Sequence, residues 1–260
     1  MKRFVEEIRP RQIMDVRDRT GIVFIPVSPL YEWHSFQLPM GTDGLISEGV
    51  AGALAEEFDA LCCRTLPIAL DVFRTEDEKE LWGLPKEADV FGMNFPTLPL
   101  QSEYHNAELM NGMVKARLKA VKESGFRYAF LVNHHGGAGQ NATLAEIAAE
   151  FSDDGFTVYV LSVPDQNTFH EEGARSLYLK IGGHAGLLET MQLMAFRPDL
   201  VDLDELPEGT LSVAETGILH GKPEVPAEFN PHYATQELAD KWRESVLENA
   251  AARVREIISQ

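Results

Sequence analysis

The hydrophobic pattern of the chain alternates between two kinds of segment. Four short apolar runs, several of them rich in β-branched and aromatic residues, predict buried strands at 22–27, 66–72, 126–132 and 156–163. Five other segments repeat apolar residues at about helical spacing and predict helices at 42–58, 108–123, 142–151, 185–196 and 236–258. Because strands alternate with helices, we expect a layered α/β domain with a largely parallel sheet.

Two features of the connections refine this prediction. Thr42 or Asp43 can cap the free amides at the start of the helix predicted at 42–58. Asp43 would then lie at a helix entrance, near the end of the first strand. The segment 73–99 is rich in Pro, Gly and charge, and it carries no clear period. Irregular segments of this length inside a compact domain are often functional loops, so we expect this one to have a functional role.

Length and composition set the outer bounds. A chain of 260 residues with 44% hydrophobic content can bury a full core, and α/β folds of this size often form one domain. We therefore expect residues 1–260 to form a single domain.

Charge and cysteine content exclude several classes of partner. The net charge of −18 would repel phosphate backbones and anionic lipids, so we expect neither a nucleic-acid nor a membrane partner.

Cys62 and Cys63 are adjacent, a spacing that cannot join distant elements, and we expect two reduced thiols in a buried strand. The first fifteen residues carry charges throughout, and no apolar run approaches the ~20 residues of a membrane span. A cytoplasmic location follows as an expectation.

The loop after the first strand holds one candidate group of metal ligands. Parallel sheets collect ligands beyond the carboxyl ends of their strands, and the loops at 28–43 and 133–139 both follow strands. Glu32 and His34 are two residues apart, so an extended segment points both side chains to the same side, and Asp43 could bridge two ions. The alternative is that Glu32 and His34 are solvated surface groups.

The loop Asn133-His134-His135-Gly136-Gly137 is a more specific signal. Adjacent histidines followed by two glycines are not what a routine turn needs, and glycine allows a close approach of the backbone. His135 is favoured over His134 as a neutral imidazole ligand. A phosphate-cradling loop or a plain turn remains the alternative, although the loop lacks the Lys-Ser/Thr of a P-loop.

His184 and Glu189 form the third candidate group. His184 can lie at the mouth of a helix, with Glu189 about one turn inside it on an otherwise apolar face. Such a carboxylate is costly to bury unless it is paired or bound to a cation, so metal ligation and a buried pair with an arginine are both open. Single histidines in polar stretches are better explained by surface or hydrogen-bonding roles; they are His105, His170, His220 and His232.

These motifs together resemble the creatininase (creatinine amidohydrolase) family. The matching stretches run through Glu32-x-His34, 38–43, Asn133-x-His135-Gly136-Gly137 and His184-Ala185-Gly186-x-x-Glu189-Thr190, in order over residues 20–205. The resemblance implies a three-layer α/β/α fold with a centre of two divalent ions per chain, zinc or manganese, with iron as a third candidate. It also implies a homo-oligomer, commonly a hexamer.

The resemblance assigns ligands residue by residue. Glu32, Asp43 and His135 would hold one ion, and His34 and Asp43 would hold the other together with a further acid, for which Glu189 is the candidate. The family has an acidic ligand two residues after the loop histidine, where this chain has Gly137.

Other positions depart from the family pattern and bear on the substrate. They are Ser35-Phe36-Gln37 after His34, His134 within the histidine loop, and Phe95-Pro96-Thr97-Leu98. We assign His134, Gly136 and Gly137 to binding of a small-molecule substrate, which need not be creatinine itself.

The expected chemistry is hydrolysis of a C–N bond of a cyclic or linear amide by a hydroxide that bridges the two ions. His184 would act as the catalytic proton shuttle, since an imidazole titrates near neutral pH. One alternative keeps the same centre but acts on a cyclic ketone or lactone derived from a polyol, such as an inosose-type ring. The other is a metal- or ligand-binding relative without catalysis.

Overall fold

The computed structural model describes residues 4–166, 183–219 and 223–260. Its sheet has four strands, β1 (Ile22–Pro26), β2 (Leu61–Cys62), β3 (Tyr128–Asn133) and β4 (Thr157–Ser162). All pairings are parallel, and the strand order is β2-β1-β3-β4. Phe24 in β1 aligns with Cys62 and Phe130, which fixes the register across the centre of the sheet.

Eight α-helices surround this sheet within the described residues. They are α1 (Pro10–Arg19), α2 (Thr42–Glu57), α3 (Glu76–Leu81), α4 (Ala107–Glu123), α5 (Gln140–Phe151), α6 (Leu187–Met194), α7 (Val213–Thr216) and α8 (Gln236–Ile258). Short 3-10 helices occupy Val5–Glu7, Pro164–Gln166, Pro198–Leu200, Leu203–Glu205, Ala227–Phe229 and Pro231–Tyr233. None of the helices described is long and apolar enough to cross a membrane.

Each face of the sheet packs against its own set of helices. Phe24 and Phe130 point to one face, where they meet apolar side chains of α2, α6 and α8. Val23 and Ile25 point to the other face, against α1, α4 and α5. Successive strand residues alternate between faces, so both faces are apolar and each is covered by helices. The predicted three-layer α/β/α fold with a parallel sheet is confirmed.

The predicted strand at 66–72 is wrong, and the short strand β2 precedes it instead. Only Leu66 makes an isolated bridge, to Val27, and Pro67 has no N–H to donate to a ladder. Side chains from elsewhere satisfy the backbone that follows, since Gln140 Oε1 accepts the Leu70 N–H at 2.8 Å and His105 Nδ1 accepts the Ala69 N–H at 3.3 Å. The segment is thus an apolar but irregular connection.

The segment 73–99 contains one helix that the hydrophobic pattern did not reveal. Thr75 caps α3 by accepting the Glu78 N–H, while Glu78 accepts the Thr75 N–H in return, which is a capping box. Beyond α3 the segment is largely irregular, and its Trp82 and Phe95 stack with ring centroids 5.7 Å apart. Both cysteines are buried and reduced, as predicted, although only Cys62 lies within a strand.

Candidate metal centre

The carboxyl end of β3 is held by a buried network of polar side chains. Asn133 accepts hydrogen bonds from Ser28 (3.1 Å) and Gln140 (2.9 Å) and donates one to the His135 carbonyl oxygen (2.9 Å). Ser28 also accepts the His134 N–H at 3.0 Å. The loop after β1 and the loop after β3 are therefore joined directly, which fixes both histidines relative to β1. Ser28 and Gln140 have no distinctive sequence pattern, and sequence reasoning missed them.

Asp43 lies at the centre of the site. It occupies the first turn of α2, but Gly41 rather than Thr42 or Asp43 is the N-cap, and no side chain caps the helix. The Asp43 carboxylate instead faces histidines, with Oδ2 3.0 Å from His135 Nδ1 and Oδ1 2.5 Å from His134 Nδ1. The side chain is 2% exposed, so α2 delivers a buried carboxylate to the strand ends.

Glu32, Asp43 and His135 converge. Glu32 Oε2 lies 3.2 Å from His135 Nδ1, and one potential ligand atom from each of the three residues lies within 4.8 Å of the others. All three residues are buried. The structure thus brings together the three side chains that were expected to hold one ion.

His34 and Glu189 lie next to Asp43 on the other side. His34 Nε2 is 3.6 Å from Asp43 Oδ1 and 3.8 Å from Glu189 Oε2. The ion-pair partners of Glu189 in the described chain are His34 and His184, rather than the arginine of the alternative interpretation. The three residues expected at the second ion are therefore neighbours as well.

Every histidine of the cluster turns one nitrogen to a carboxylate and the other to a neutral acceptor. His34 Nδ1 donates to the Glu32 carbonyl oxygen at 3.0 Å, and His135 Nε2 donates to the Leu70 carbonyl oxygen at 3.0 Å. A carbonyl oxygen can only accept, so these bonds fix which nitrogen carries the proton. Metal-binding histidines usually have such an outer partner, which aims the remaining nitrogen at the ion.

His134 and His184 follow the same pattern. His134 Nε2 lies 2.8 Å from Gln192 Oε1, and His184 Nε2 hydrogen-bonds to the Trp33 carbonyl oxygen. Two further groups have ligand atoms close enough together to hold a metal ion. One is His34 with His184 and Glu189, and the other is Asp43 with His134 and Glu189. Both ring nitrogens of His134 are engaged, so direct contact with a substrate would require one partner to move.

Strained backbone lies beside two of these histidines. Ser35 follows His34 with φ of 63°, and Ala185 follows His184 with φ of 57°. Non-glycine residues rarely adopt such values without support from their surroundings. Gln37 supports the backbone at Ala185, because its Nε2 donates to the Ala185 carbonyl oxygen at 2.7 Å. The Ala185 N–H in turn donates to Glu189 Oε2 at 2.5 Å, which orients that carboxylate.

A cavity of about 570 Å³ opens onto the cluster. Its wall includes the two glycines that were assigned to substrate binding, Gly136 and Gly137, together with Leu188 and Leu219. A Cβ at Gly136 would meet nothing within 4 Å, whereas a Cβ at Gly137 would lie 2.1 Å from His135 Nε2 and 2.2 Å from the Leu70 carbonyl oxygen. Gly137 is therefore required by the packing of the His135 ring.

Burial and charge act in opposite directions on the titratable groups. Burial alone would raise the pKa of Asp43, but His134, His135 and His34 outweigh it and hold the pKa well below its usual value. Burial would likewise lower the pKa of His34, yet Asp43 raises it to about 10. Burial also disfavours the charged forms of Glu32 and His135, but their opposite charges outweigh it. The pKa of Glu32 is therefore lowered, and the pKa of His135 is raised well above its usual value. The metal-free cluster is therefore a network of imidazolium and carboxylate charges.

In the described part of the chain, two buried atoms of the cluster make no hydrogen bond, although each lies within ion-pair distance of a charged neighbour. They are Glu32 Oε2 and His34 Nε2. Such atoms are costly unless something binds them, and a divalent ion beside each of them would satisfy it. Imidazole nitrogens and carboxylate oxygens suit zinc, manganese and iron. The residues present thus fit a centre of divalent ions.

Two residues near the cluster were missed by sequence reasoning. Tyr104 donates to Glu32 Oε1 at 2.5 Å, and burial together with the Glu32 charge raises the pKa of its hydroxyl. Arg74 lines the cavity from the irregular segment 73–99. Tyr104 lies in no motif or periodic element. Arg74 lies in the segment 73–99, for which the sequence predicted a functional role without indicating which residue carries it. Of the histidines set aside above, His105 lies outside the cluster, His232 is exposed, and His170 and His220 fall outside the described residues.

Comparison with known proteins identifies related folds. The sequence profile of the creatininase family, described as creatinine amidohydrolase, matches residues 93–254. This range contains the His134–His135 loop, His184 and Glu189, but it begins after Glu32, His34 and Asp43. No curated protein is similar enough in sequence to count as a match.

Solved structures are similar over nearly the whole chain. A structure described as "Creatininase Mn" is 20% identical, with a TM-score of 0.68 over 100% of both chains. A mutant creatininase of a Zn-Zn type is 22% identical, with a TM-score of 0.69 over 99% of this chain and 98% of the other. A putative creatinine amidohydrolase from Bacteroides fragilis is 15% identical, with a TM-score of 0.67 over 100% and 97%. At these identities the likeness establishes the fold.

Proposed function

The chain belongs to the creatininase family, and on that premise we propose that it is a divalent-metal-dependent hydrolase that cleaves a C–N bond of a cyclic or linear amide. The observation that carries the proposal is the convergence of Glu32, Asp43 and His135, beside two buried polar atoms that make no hydrogen bond in the described chain. A purely structural cluster would gain nothing from leaving Glu32 Oε2 and His34 Nε2 without a hydrogen bond.

The ligand sets follow from which atoms face one another. Glu32, Asp43 and His135 would hold one ion, and His34, Asp43 and Glu189 would hold the other, with Asp43 shared because its two oxygens face different histidines. Zinc and manganese are the proposed metals, with iron as a third candidate. When bound, such ions supply a nucleophile at neutral pH by lowering the pKa of water, and they polarise a carbonyl group.

The protein's own groups supply the rest of the chemistry. His184 lines the cavity with a side chain that is 14% exposed, and its Nδ1 lies 3.9 Å from Glu189 Oε2. From this position its imidazole can deliver a proton to the leaving nitrogen of an amide. Leu188 and Leu219 place apolar side chains in the same cavity wall.

The position of Glu189 accounts for the departure at Gly137. A side chain at residue 137 would collide with the ring of His135, so the acid that the family pattern expects there cannot be accommodated in this loop. Glu189, from the first turn of α6, brings its carboxylate to His34 instead. We propose that α6, rather than the β3 loop, supplies the second acidic ligand in this chain.

The proposal is tested by counting metal ions per chain. Protein purified without chelator should contain two ions per chain by elemental analysis. Glu32→Gln and Glu189→Gln should each lose one ion, and Asp43→Asn should lose both, because it is shared. Glu215→Gln, a change at an exposed glutamate of α7, is the matched control and should keep two. Two ions retained in all four variants would refute the ligand sets.

A second candidate function keeps the same centre but acts on a cyclic ketone or lactone derived from a polyol. The observation that favours it is the composition of the cavity wall, which includes Gly136, Gly137 and Arg74 next to the cluster. A panel of cyclic amides, cyclic ketones and lactones, assayed with metal-loaded protein, separates the two candidates. Two ions per chain with no hydrolysis of any panel member would favour a relative without catalysis.

A further inference from the structure

Arg74 is a partly buried and firmly anchored cation in the wall of the cavity. Its side chain is 15% exposed. Its Nε donates to the Gly92 carbonyl oxygen at 3.0 Å, and its Nη2 donates to Asp71 Oδ2 at 2.7 Å. The guanidinium also lies over the ring of Trp82, 5.7 Å from the ring centroid. Contacts on three sides hold the group in one orientation, which long exposed arginines do not have.

The anchors of Arg74 also connect to the first ion site. Asp71 follows Leu70, whose carbonyl oxygen accepts from His135 Nε2. Gly92 precedes Met93, whose N–H donates to the Tyr104 hydroxyl that orients Glu32. Through these neighbours Arg74 is connected to the side of the site that holds Glu32 and His135. His184 lies on the other side, next to His34 and Glu189.

Arg74 has donors to spare. A guanidinium carries five N–H groups, and the described residues accept two of them, one at Nε and one at Nη2. The other three N–H groups have no acceptor in the described part of the chain, although the residue lines the cavity. Unused donors on a group whose orientation is fixed are suited to recognition of an acceptor atom on a ligand.

We propose that Arg74 is a specificity-determining residue that donates hydrogen bonds to an oxygen atom of the substrate, on the part of the molecule away from the bond that is cleaved. This inference rests on the proposed hydrolase function. Because Asp71 already offsets the charge of Arg74, the position suits a hydroxyl or carbonyl oxygen of a neutral molecule better than a full anion.

Two lactones that share one ring provide the test. D-glucono-1,5-lactone carries hydroxyl groups and δ-valerolactone does not. We expect Arg74→Met to raise the KM for gluconolactone by about 10- to 100-fold, the range for lost hydrogen bonds to a charged group, and to leave the KM for valerolactone within about twofold. Arg197→Met removes a surface arginine that pairs with a nearby Asp199 and is the matched control. A variant that had only lost support for its loop would raise both values, which would overturn the proposal.

A binding measurement keeps the proposal separate from hydrolysis. The dissociation constant of myo-inositol, a rigid polyol that cannot be hydrolysed, is measured by calorimetry or ligand-observed NMR with metal-loaded protein. We expect weaker binding by Arg74→Met than by wild type or Arg197→Met, and an intermediate value for Arg74→Lys, which keeps the charge but loses the planar fork. Equal binding by all four proteins, or no binding by wild type, overturns the proposal. Arg74-dependent binding without hydrolysis of any lactone or amide would refute the hydrolase function alone.

Discussion

The Tyr104 hydroxyl donates a hydrogen bond to Glu32 Oε1 across 2.5 Å, and the same hydroxyl accepts the Met93 N–H at 2.9 Å. Because a backbone donor occupies its acceptor side, the phenolic proton is directed to Glu32. The other carboxylate oxygen, Oε2, then faces His135 Nδ1 at 3.2 Å and makes no hydrogen bond in the described chain. Tyr104 thus selects which oxygen of Glu32 is offered to an ion.

Removing that hydroxyl should weaken one ion site. Tyr104→Phe keeps the ring that Gly92 packs against but frees the Glu32 carboxylate to rotate, and loss of an outer partner typically costs about 10- to 100-fold in metal affinity. Competition with a chelator should show the affinity of one ion reduced by this amount and the other little changed. Tyr128→Phe is the control, because in the described chain that hydroxyl bonds to the Ile258 carbonyl oxygen at 3.4 Å and lies at the end of β3 opposite the site. Equal losses in the two variants would contradict the role of Tyr104.

Gly137 and Gly136 offer a matched pair of substitutions. Gly137→Ala places a Cβ 2.1 Å from His135 Nε2, so either the ring or the loop must move. We expect loss of the ion that His135 would hold and a destabilisation of about 1–3 kcal/mol, as for overpacking elsewhere. Gly136→Ala, whose Cβ meets nothing within 4 Å, should keep both ions and near-native stability. Thermal unfolding together with elemental analysis distinguishes the two variants, and similar behaviour would show that the loop adapts more than its packing indicates.

Elements with a strong local pattern were predicted well from the sequence. The last helix was expected at 236–258 and is observed as Gln236–Ile258, because Thr235 caps it by accepting the Leu238 N–H and its apolar face packs against the sheet. The strand at 66–72 failed because apolar composition alone does not specify a ladder. Pro67 interrupts the donors there, and the Gln140 side chain, distant in sequence, satisfies the backbone.

The site was predictable only where residue chemistry coincided with strand ends. Asp43 and His135 follow different strands of one parallel sheet, so their meeting could be expected. Tyr104 and Arg74 reach the cavity through an irregular chain path, which depends on tertiary contacts such as the bond between Arg74 Nε and the Gly92 carbonyl oxygen. The roles of the ligands and of His184, the single domain, the homo-oligomer and the cytoplasmic location stay predictions.

The effect of pH on metal binding follows from the charges of the cluster. In the metal-free protein burial would lower the pKa of His34, but the hydrogen bond and charge of Asp43 outweigh this effect and raise the pKa from 6.5 to about 10. The stability that this protonation contributes is fully present below about pH 6.5 and is lost as the pH rises towards 10. A metal ion needs the neutral imidazole, so each displaced proton weakens apparent binding about tenfold per unit of pH below the pKa.

Metal should therefore stabilise the protein more at high pH. We expect the increase in Tm on adding manganese to chelator-treated protein to be larger at about pH 9 than at about pH 6, because the metal-free reference loses stability while the ion meets less competition from protons. Differential scanning calorimetry at both pH values measures this. An increase that stayed constant or fell with pH would mean that His34 is not a ligand.

His184 is the residue whose role the geometry leaves between catalysis and ligation. Its Nδ1 lies 3.9 Å from Glu189 Oε2 and its ring centroid 4.3 Å from that of His34, yet it also lines the cavity. Asp43 and Glu189 already face His34, so the second ion has three ligands without His184. We expect His184→Ala to retain two ions per chain while turnover of the best panel substrate falls by about 10²- to 10⁴-fold, the usual contribution of a general acid or base. His232→Ala removes an exposed histidine whose Nδ1 bonds only to Asn230 in the described chain, and it should change neither quantity. Loss of one ion from His184→Ala would instead make this histidine a ligand, and the proton would then have to come from another group in the cavity wall.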